Sequence, residues 1–297
     1  MNTTAPGTTL VLRCAGRPVG RYLYRPELDT RLSPRPYLHP VTTLRGTPVT
    51  EELPEDHRHH LGVSVAVPDV AGRNFWGGRT YVREQGPTEL DNHGEQRHAE
   101  WKLRDPDGFV EDLSWHADGT ELLRERRTVA ATGLTATAWA LDFTFSLTNP
   151  GTKDLSIGSP ATNGRPGAGY GGFFWRAPKE AAAPAVLSAA SHPAGGPGVD
   201  GGGGASGEEA VHGRPADWLA LVGEDWTLVF AGATDDTRKD PWFVRTGEYP
   251  GVGSSLAWDG RLAVPAGGTV VRRVVTVVAD GRLDRAGAAA LVRKALS

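Results

Sequence analysis

Between residues 135 and 148 the chain alternates with a period of two. Trp139, Leu141, Phe143, Phe145 and Leu147 fall on one face, and Ala140, Asp142, Thr144, Ser146 and Thr148 on the other. Successive side chains of a strand point to opposite faces, so this run predicts a strand with its aromatic side against a core. Two similar runs, 110–115 and 121–129, precede it. The turn-forming triplets Ala117-Asp118-Gly119 and Ala131-Thr132-Gly133 join the three into a meander. Shorter strand-like runs follow the same logic at 8–15, 19–24, 79–83, 96–103, 154–159, 185–190, 218–222, 227–231, 255–258, 262–264 and 269–279. Residues 31–40 (RLSPRPYLHP) are too proline-rich for a central strand and read as a structured loop carrying Arg35, Tyr37 and His39. Helical character is confined to 284–296, where Asp284 is placed to cap the N-terminus and alanines favour the helix. With 39 glycines and 22 prolines punctuating short runs, the expected fold is all-β, a large antiparallel β-sandwich with one C-terminal helix. A length of 297 residues suits a single domain over 1–297, interrupted by a Gly/Ala/Pro-rich surface loop at about 191–213.

Charge and cysteine content remove several function classes. A net charge of −3 and no basic run longer than Arg126-Arg127 or Arg272-Arg273 give no footprint for nucleic acid or an anionic membrane. The single cysteine, Cys14, excludes an internal disulfide framework and a multi-cysteine zinc site. The first residues, MNTTAPGTTLVLRCAG, lack the basic and apolar regions of a signal peptide, which leads to the expectation of a soluble, cytoplasmic protein. There is no phosphate-binding glycine loop followed by Lys-Ser/Thr, no dinucleotide fingerprint and no Gly-x-Ser-x-Gly elbow.

The chemistry-bearing residues concentrate in 56–78, DHRHHLGVSVAVPDVAGRNFWGG. His57, His59 and His60, three of nine histidines, stand before a run in which Leu61, Val63, Val65 and Val67 alternate with Gly62, Ser64 and Ala66. The valine face belongs in a core, and the face carrying His60 is otherwise small, as the floor of a cleft would be. Trp76 follows in a loop bounded by Gly72 and Gly77-Gly78, with Arg79 just beyond it. A second polar, glycine-dense segment, 163–172, holds Asn163 and Arg165 and leads into Phe173-Phe174-Trp175-Arg176. Nine tryptophans exceed what a core of this size needs, so Trp76, Trp175 and Trp242 are candidates to stack on a ligand, although indoles also fill wide intersheet gaps.

The segments RPYLHP, DHRHHLGVSVAVPDVAGRNFWGGR, GRPGAGYGGFFWRAP and DPWFVR resemble a family of uncharacterised bacterial proteins that automatic labelling calls a methane oxygenase subunit. That label would require membrane-spanning helices of about 18 apolar residues or more, and the chain has no such run, so the resemblance implies the family and not the activity. SLTNPGTKDLSIGSPATNG and AVPAGGTVVRRVVTVVADG are similar to the middle and the final strand of aldose 1-epimerases and related galactose-mutarotase-like proteins. This second resemblance implies a β-supersandwich that holds a sugar in a concave sheet. Where the epimerase segment has histidine after Thr-Asn, this chain has Gly164, so the epimerase catalytic histidine is not carried over.

Three functional readings follow. In the first, a carbohydrate or keto-sugar lies in a His/Arg/Trp-lined cleft, held by Trp76, Trp175 or Trp242 and by Arg79, Asn163, Arg165 and Arg245. His60 or His59 then acts as base and His39, His93 or Glu84 as acid in an epimerisation, isomerisation or elimination. In the second, a divalent metal is bound by His57 and His59, two apart, with His39 or a carboxylate, while the adjacent His59 and His60 point to opposite faces of a strand. In the third, the same groups only bind the sugar. No cofactor is firmly implied, and a homo-oligomer is compatible with an aromatic-rich sheet.

Overall fold

A computed structural model describes residues 8–189 and 206–297. Most of the loop expected at 191–213, with His192, lies outside the described residues, while its end contains the short helix Glu208–Val211.

The expected all-β antiparallel sandwich is what the chain forms. A front sheet runs in the spatial order Thr9–Cys14, Arg17–Leu23, Tyr37–Val41, Val63–Val70, Gly172–Arg176, Gly251–Ser255, Trp242–Arg245. The far end of Val63–Val70 also pairs with Arg73–Phe75 and with Leu155–Gly158, which in turn pairs with Leu262–Val264. The back sheet runs Ala185–Ser188, Trp218–Val222, Trp226–Gly232, Thr269–Asp280, Ala138–Thr148, Thr120–Thr135, Gly108–Ala117, Glu95–Asp105. A separate hairpin joins Thr80–Val82 to Gly86–Thr88.

The alternating side chains sort as their period dictates. Trp139, Leu141, Phe143, Phe145 and Leu147 enter the intersheet core and meet Val63, Val65 and Val67 from the front sheet. Burying each such side chain contributes roughly 1.5–3 kcal/mol, so this period holds the two sheets face to face. On the outer side of the back sheet, Ala138, Ala140, Val275 and Val277 are covered by the helix Arg285–Leu296 through Ala288 and Val292. Asp284 caps that helix by accepting from the Gly287 N–H, as expected. A third short helix, Asp235–Lys239, had no sequence signal strong enough to separate it from a turn.

Two local expectations are corrected. Tyr37–Val41 is a strand despite Pro40. Its ladder jumps from Tyr22↔Leu38 to Gly20↔Val41, and Pro40 falls in that irregularity, where no ladder N–H is demanded. The turn expected at 131–133 is instead strand, and the chain reverses after Thr135, which pairs with Ala138. Gly133 marks the bulge before the reversal rather than the reversal itself.

One polar node crosses the core. Arg127, fully buried, donates from Nε and Nη2 to Glu125 at 2.7 and 3.0 Å, and from Nη1 to the Tyr22 hydroxyl and the Pro36 carbonyl. Gln96 accepts from Arg127 and donates to the Val65 carbonyl, while its own N–H donates to Pro34. The node thereby fixes the 34–36 segment against both sheets.

Candidate functional site

The site is built on the outer face of the front sheet. Residues 51–62 leave and re-enter the sheet through a Glu52↔Leu61 bridge, and within this loop the His57 N–H donates to Pro54 and the His60 N–H to His57. These two successive turns place all three imidazoles on one side. His57 stacks on His60 with centroids 4.8 Å apart, and His59 meets the His60 ring edge-on at 4.7 Å. The three histidines precede the strand instead of lying in it, so the expectation that His59 and His60 point to opposite faces does not hold.

Close approach around His59 requires glycine. A Cβ on Gly77, at φ +99, would stand 2.7 Å from the His59 Cβ, and one on Gly78, at φ +67, 3.0 Å from its Nδ1. His93 sits on the far side of Gly78 and donates from Nε2 to its carbonyl at 2.7 Å.

Two buried arginines flank the imidazoles. Arg176, at the end of Gly172–Arg176, donates from Nε and Nη2 to Glu51 at 2.9 and 2.6 Å and from Nη1 to His60 Nδ1 at 3.3 Å. A guanidinium only donates, so His60 Nδ1 must be the unprotonated nitrogen and its proton resides on Nε2. Arg35 is fully buried and donates to Ser64 Oγ, to the carbonyls of Leu32, Ser33 and Trp76, and at 2.7 Å to that of His59. None of these acceptors is a carboxylate.

Burial is the first cause of the electrostatics here and neighbouring positive charge the second. Burial, then Arg35, pushes the His59 pKa down to about 3. Burial and the adjacent His59 hold His60 well below the ordinary imidazole range. Burial also pushes Arg35 down to about 9. At neutral pH His59 and His60 are therefore neutral beside two guanidiniums. His57 Nδ1 is buried without a hydrogen bond, although an Asp56 carboxylate oxygen lies 3.2 Å away.

Aromatic rings wall this cluster. Trp76, Phe174 and Tyr249 each contact His60, with centroids 5.9, 5.1 and 4.8 Å away, and Tyr170 packs on Trp76 at 4.6 Å. The Arg176 guanidinium lies over the Tyr249 ring at 4.8 Å. Through Phe243 the wall continues to a second polar group, in which Arg245 pairs with Glu208 and packs beside His212.

A model for a family of unknown function, DUF6807, matches residues 9–293. The chain belongs to this family. No curated protein matches it. Among solved structures, one described as "Heparinase III-BT4657 gene product" aligns at 13% identity and a TM-score of 0.23 over 66% of this chain. The alignment spans 23% of that protein, and a likeness this weak carries no argument. No helix among the described residues is long and apolar enough to cross a membrane.

In this DUF6807 protein the sequence candidates divide into groups. His57, His59, His60 and Trp76 are brought together, with His93 behind Gly78. Arg165 reaches Tyr170 at the edge of the aromatic wall. Asn163 is bound instead to Asp69 and Arg261, and Arg245 belongs to the second polar group. His39 is held by Thr50 and lies 3.6 Å from Glu52, so it does not join His57 and His59. Among the described residues no three His, Cys, Asp or Glu are arranged to hold a metal. Arg79 is exposed and paired with Glu89, while Glu84 sits in the exposed turn of the small hairpin at φ 66. Trp175 and Trp242 face the intersheet core, where their indole N–H groups donate to Val49 and Ala216. Arg35, Glu51 and Tyr249 were not among the candidates, and Arg176 and His212 stood out in the sequence without a role. Arg176 carried the one available signal, a charged residue at the end of the large apolar run Phe173-Phe174-Trp175, whereas Arg35 stands between Pro34 and Pro36.

Proposed function

We propose that this protein is a carbohydrate-active enzyme that moves a proton at a carbon beside a carbonyl-type group. The observation that carries the reading is the gathering of three imidazoles, two buried guanidiniums and an aromatic wall on one face of a sheet. Tyr170, the half-buried ring at the rim of this wall, offers apolar surface to the C–H face of a sugar. His60, with Nδ1 occupied by Arg176, has an N–H at Nε2 with which to donate to a substrate oxygen. His59, whose ring nitrogens have no hydrogen-bond partner among the described residues, is the base. It takes the proton, the electron pair left on carbon moves onto the oxygen held by His60, and a proton from solvent added to the opposite face, as His59 releases its own to solvent, completes an epimerisation. An anionic oxygen beside Arg35 offsets the positive charge that depresses His59 and raises its basicity when it is needed.

Proton NMR in D2O tests this against aldoses, glycosides and 3-keto-glycosides. The expected result is solvent deuterium entering next to the carbonyl carbon, reduced about 100-fold in His59→Gln, in line with loss of one general base. Saturation transfer to a bound sugar with no exchange in any compound would leave a sugar-binding module, a reading that the weak basicity of His59 favours.

A further inference from the structure

Resting on the carbohydrate reading, we propose that the ligand is an acidic sugar, a uronate or an aldonate, whose carboxylate is received by His60 with Arg35 as the positioning charge behind the imidazoles. The starting point is an inequality among the three fully buried arginines. Arg127 has Glu125 and Arg176 has Glu51, but every acceptor around Arg35 is a neutral carbonyl or hydroxyl. A buried charge without an opposite charge is costly, and a ligand anion is the remaining way to supply one. Arg35 Nη2 makes one hydrogen bond, to His59, and its second N–H has no acceptor among the described residues. The nearest carboxylates do not fill this role, because Glu51 is occupied by Arg176 and Asp56 lies at the exposed side of His57.

The form of the anion follows from the backbone. A phosphate is ordinarily cradled by free main-chain N–H groups. Here the Trp76 and Gly77 N–H groups donate to Asn74 Oδ1, that of Gly78 to the Arg31 carbonyl and that of His60 to the His57 carbonyl. With these four amides taken, no run of free main-chain N–H groups forms a cradle there, and the charged group left to meet an anion is one unpaired guanidinium behind side-chain N–H donors. A single carboxylate matches them in charge and size.

The test uses the full-length wild-type protein and measures affinities for glucuronate, galacturonate and gluconate, their methyl esters or amides, and glucose 6-phosphate. At least one acid binds about 10-fold or more tighter than its own ester, the difference expected of a charge-assisted hydrogen bond. Arg35→Gln lowers the acid-to-ester affinity ratio toward one, and Arg35→Lys restores part of it. If Arg35→Gln does not fold, the acid-to-ester ratio of the wild type still decides. Equal affinity for acid and ester, tighter binding of glucose 6-phosphate, or no acid bound at millimolar concentration overturns the inference. The two proposals fail separately. Deuterium exchange into neutral keto-glycosides without acid preference removes this one alone, and acid-selective binding without exchange removes only the proton-transfer reading.

Discussion

Two polar regions of this sandwich use the same residue types to opposite ends. Between the sheets, Arg127 is surrounded by Glu125, Tyr22, Gln96 and a carbonyl, and Glu125 also accepts from the Trp115 indole at 2.9 Å. On the outer face, Arg35 and Arg176 stand beside three imidazoles, with Glu51 paired to Arg176 and the exposed Asp56 beside His57. In the core node donors meet acceptors, with Glu125 paired to Arg127 and Glu111 reached through the Tyr22 hydroxyl, so the node acts as a strut. The outer cluster holds His57 Nδ1 without a hydrogen bond and Arg35 without a counter-charge. Buried groups left in that condition destabilise a fold, and their concentration at one place is what separates a site from a strut.

The comparison breaks most visibly at Glu125. Glu125→Gln takes from Arg127 its paired carboxylate and leaves only Glu111, one hydroxyl away through Tyr22, and the expected loss is about 3 kcal/mol of unfolding free energy in chemical denaturation. A loss below about 1 kcal/mol would mean that water reaches the node and that the two regions are not different in kind.

The acid side of the stability curve gives the next largest effect. His59 and His60 are held neutral in the fold, whereas in the unfolded chain they titrate near the ordinary value of about 6.5. Below that pH the unfolded chain binds protons that the folded chain refuses, so stability is full above about 6.5 and falls as pH drops toward the folded value. The slope approaches about 1 kcal/mol per pH unit for each such histidine. His39 and His212, also lowered chiefly by burial, add to it, so the diagnostic quantity is the flattening seen in His59→Gln between pH 6.5 and 5. An unchanged slope in that variant would show that His59 is not held neutral by its surroundings.

How much of this could be read from the chain depended on whether a pattern was local. The Trp139–Leu147 alternation and the Asp284 cap are written in consecutive residues, and both appear where expected. The grouping of His57, His59 and His60 was equally visible, but their common orientation comes from two turns that no alternation rule describes. Phe173-Phe174-Trp175-Arg176 shows the limit most clearly. All four are large, so the period of two is hidden, and a shift of one residue decides which of Phe174 and Trp175 meets the site. Phe174 does, and Trp175 fills the core. Arg176 finds Glu51 across 125 positions and Arg35 finds His59 across 24, distances at which pairing is set by sheet order.

The smallest effect sharpens the comparison from the site's side. Glu51→Gln makes the same chemical change as Glu125→Gln, removing a carboxylate from a buried arginine. The Glu51 side chain is 31% exposed, however, where that of Glu125 is fully buried. Water can therefore replace part of what Glu51 supplied, and the expected cost is only about 1 kcal/mol. The larger consequence is functional, since Arg176 loses the partner that aims its Nη1 at His60 Nδ1. With that hydrogen bond loosened, the proton of His60 is free to move between Nδ1 and Nε2. The tautomers can be followed in the 15N shifts of the ring. A single Nε2–H tautomer in the wild type and a mixture in Glu51→Gln is the expected outcome. If both proteins show the same tautomer, Glu51 acts on Arg176 alone, and the orientation of His60 must come from the rings of Trp76, Phe174 and Tyr249.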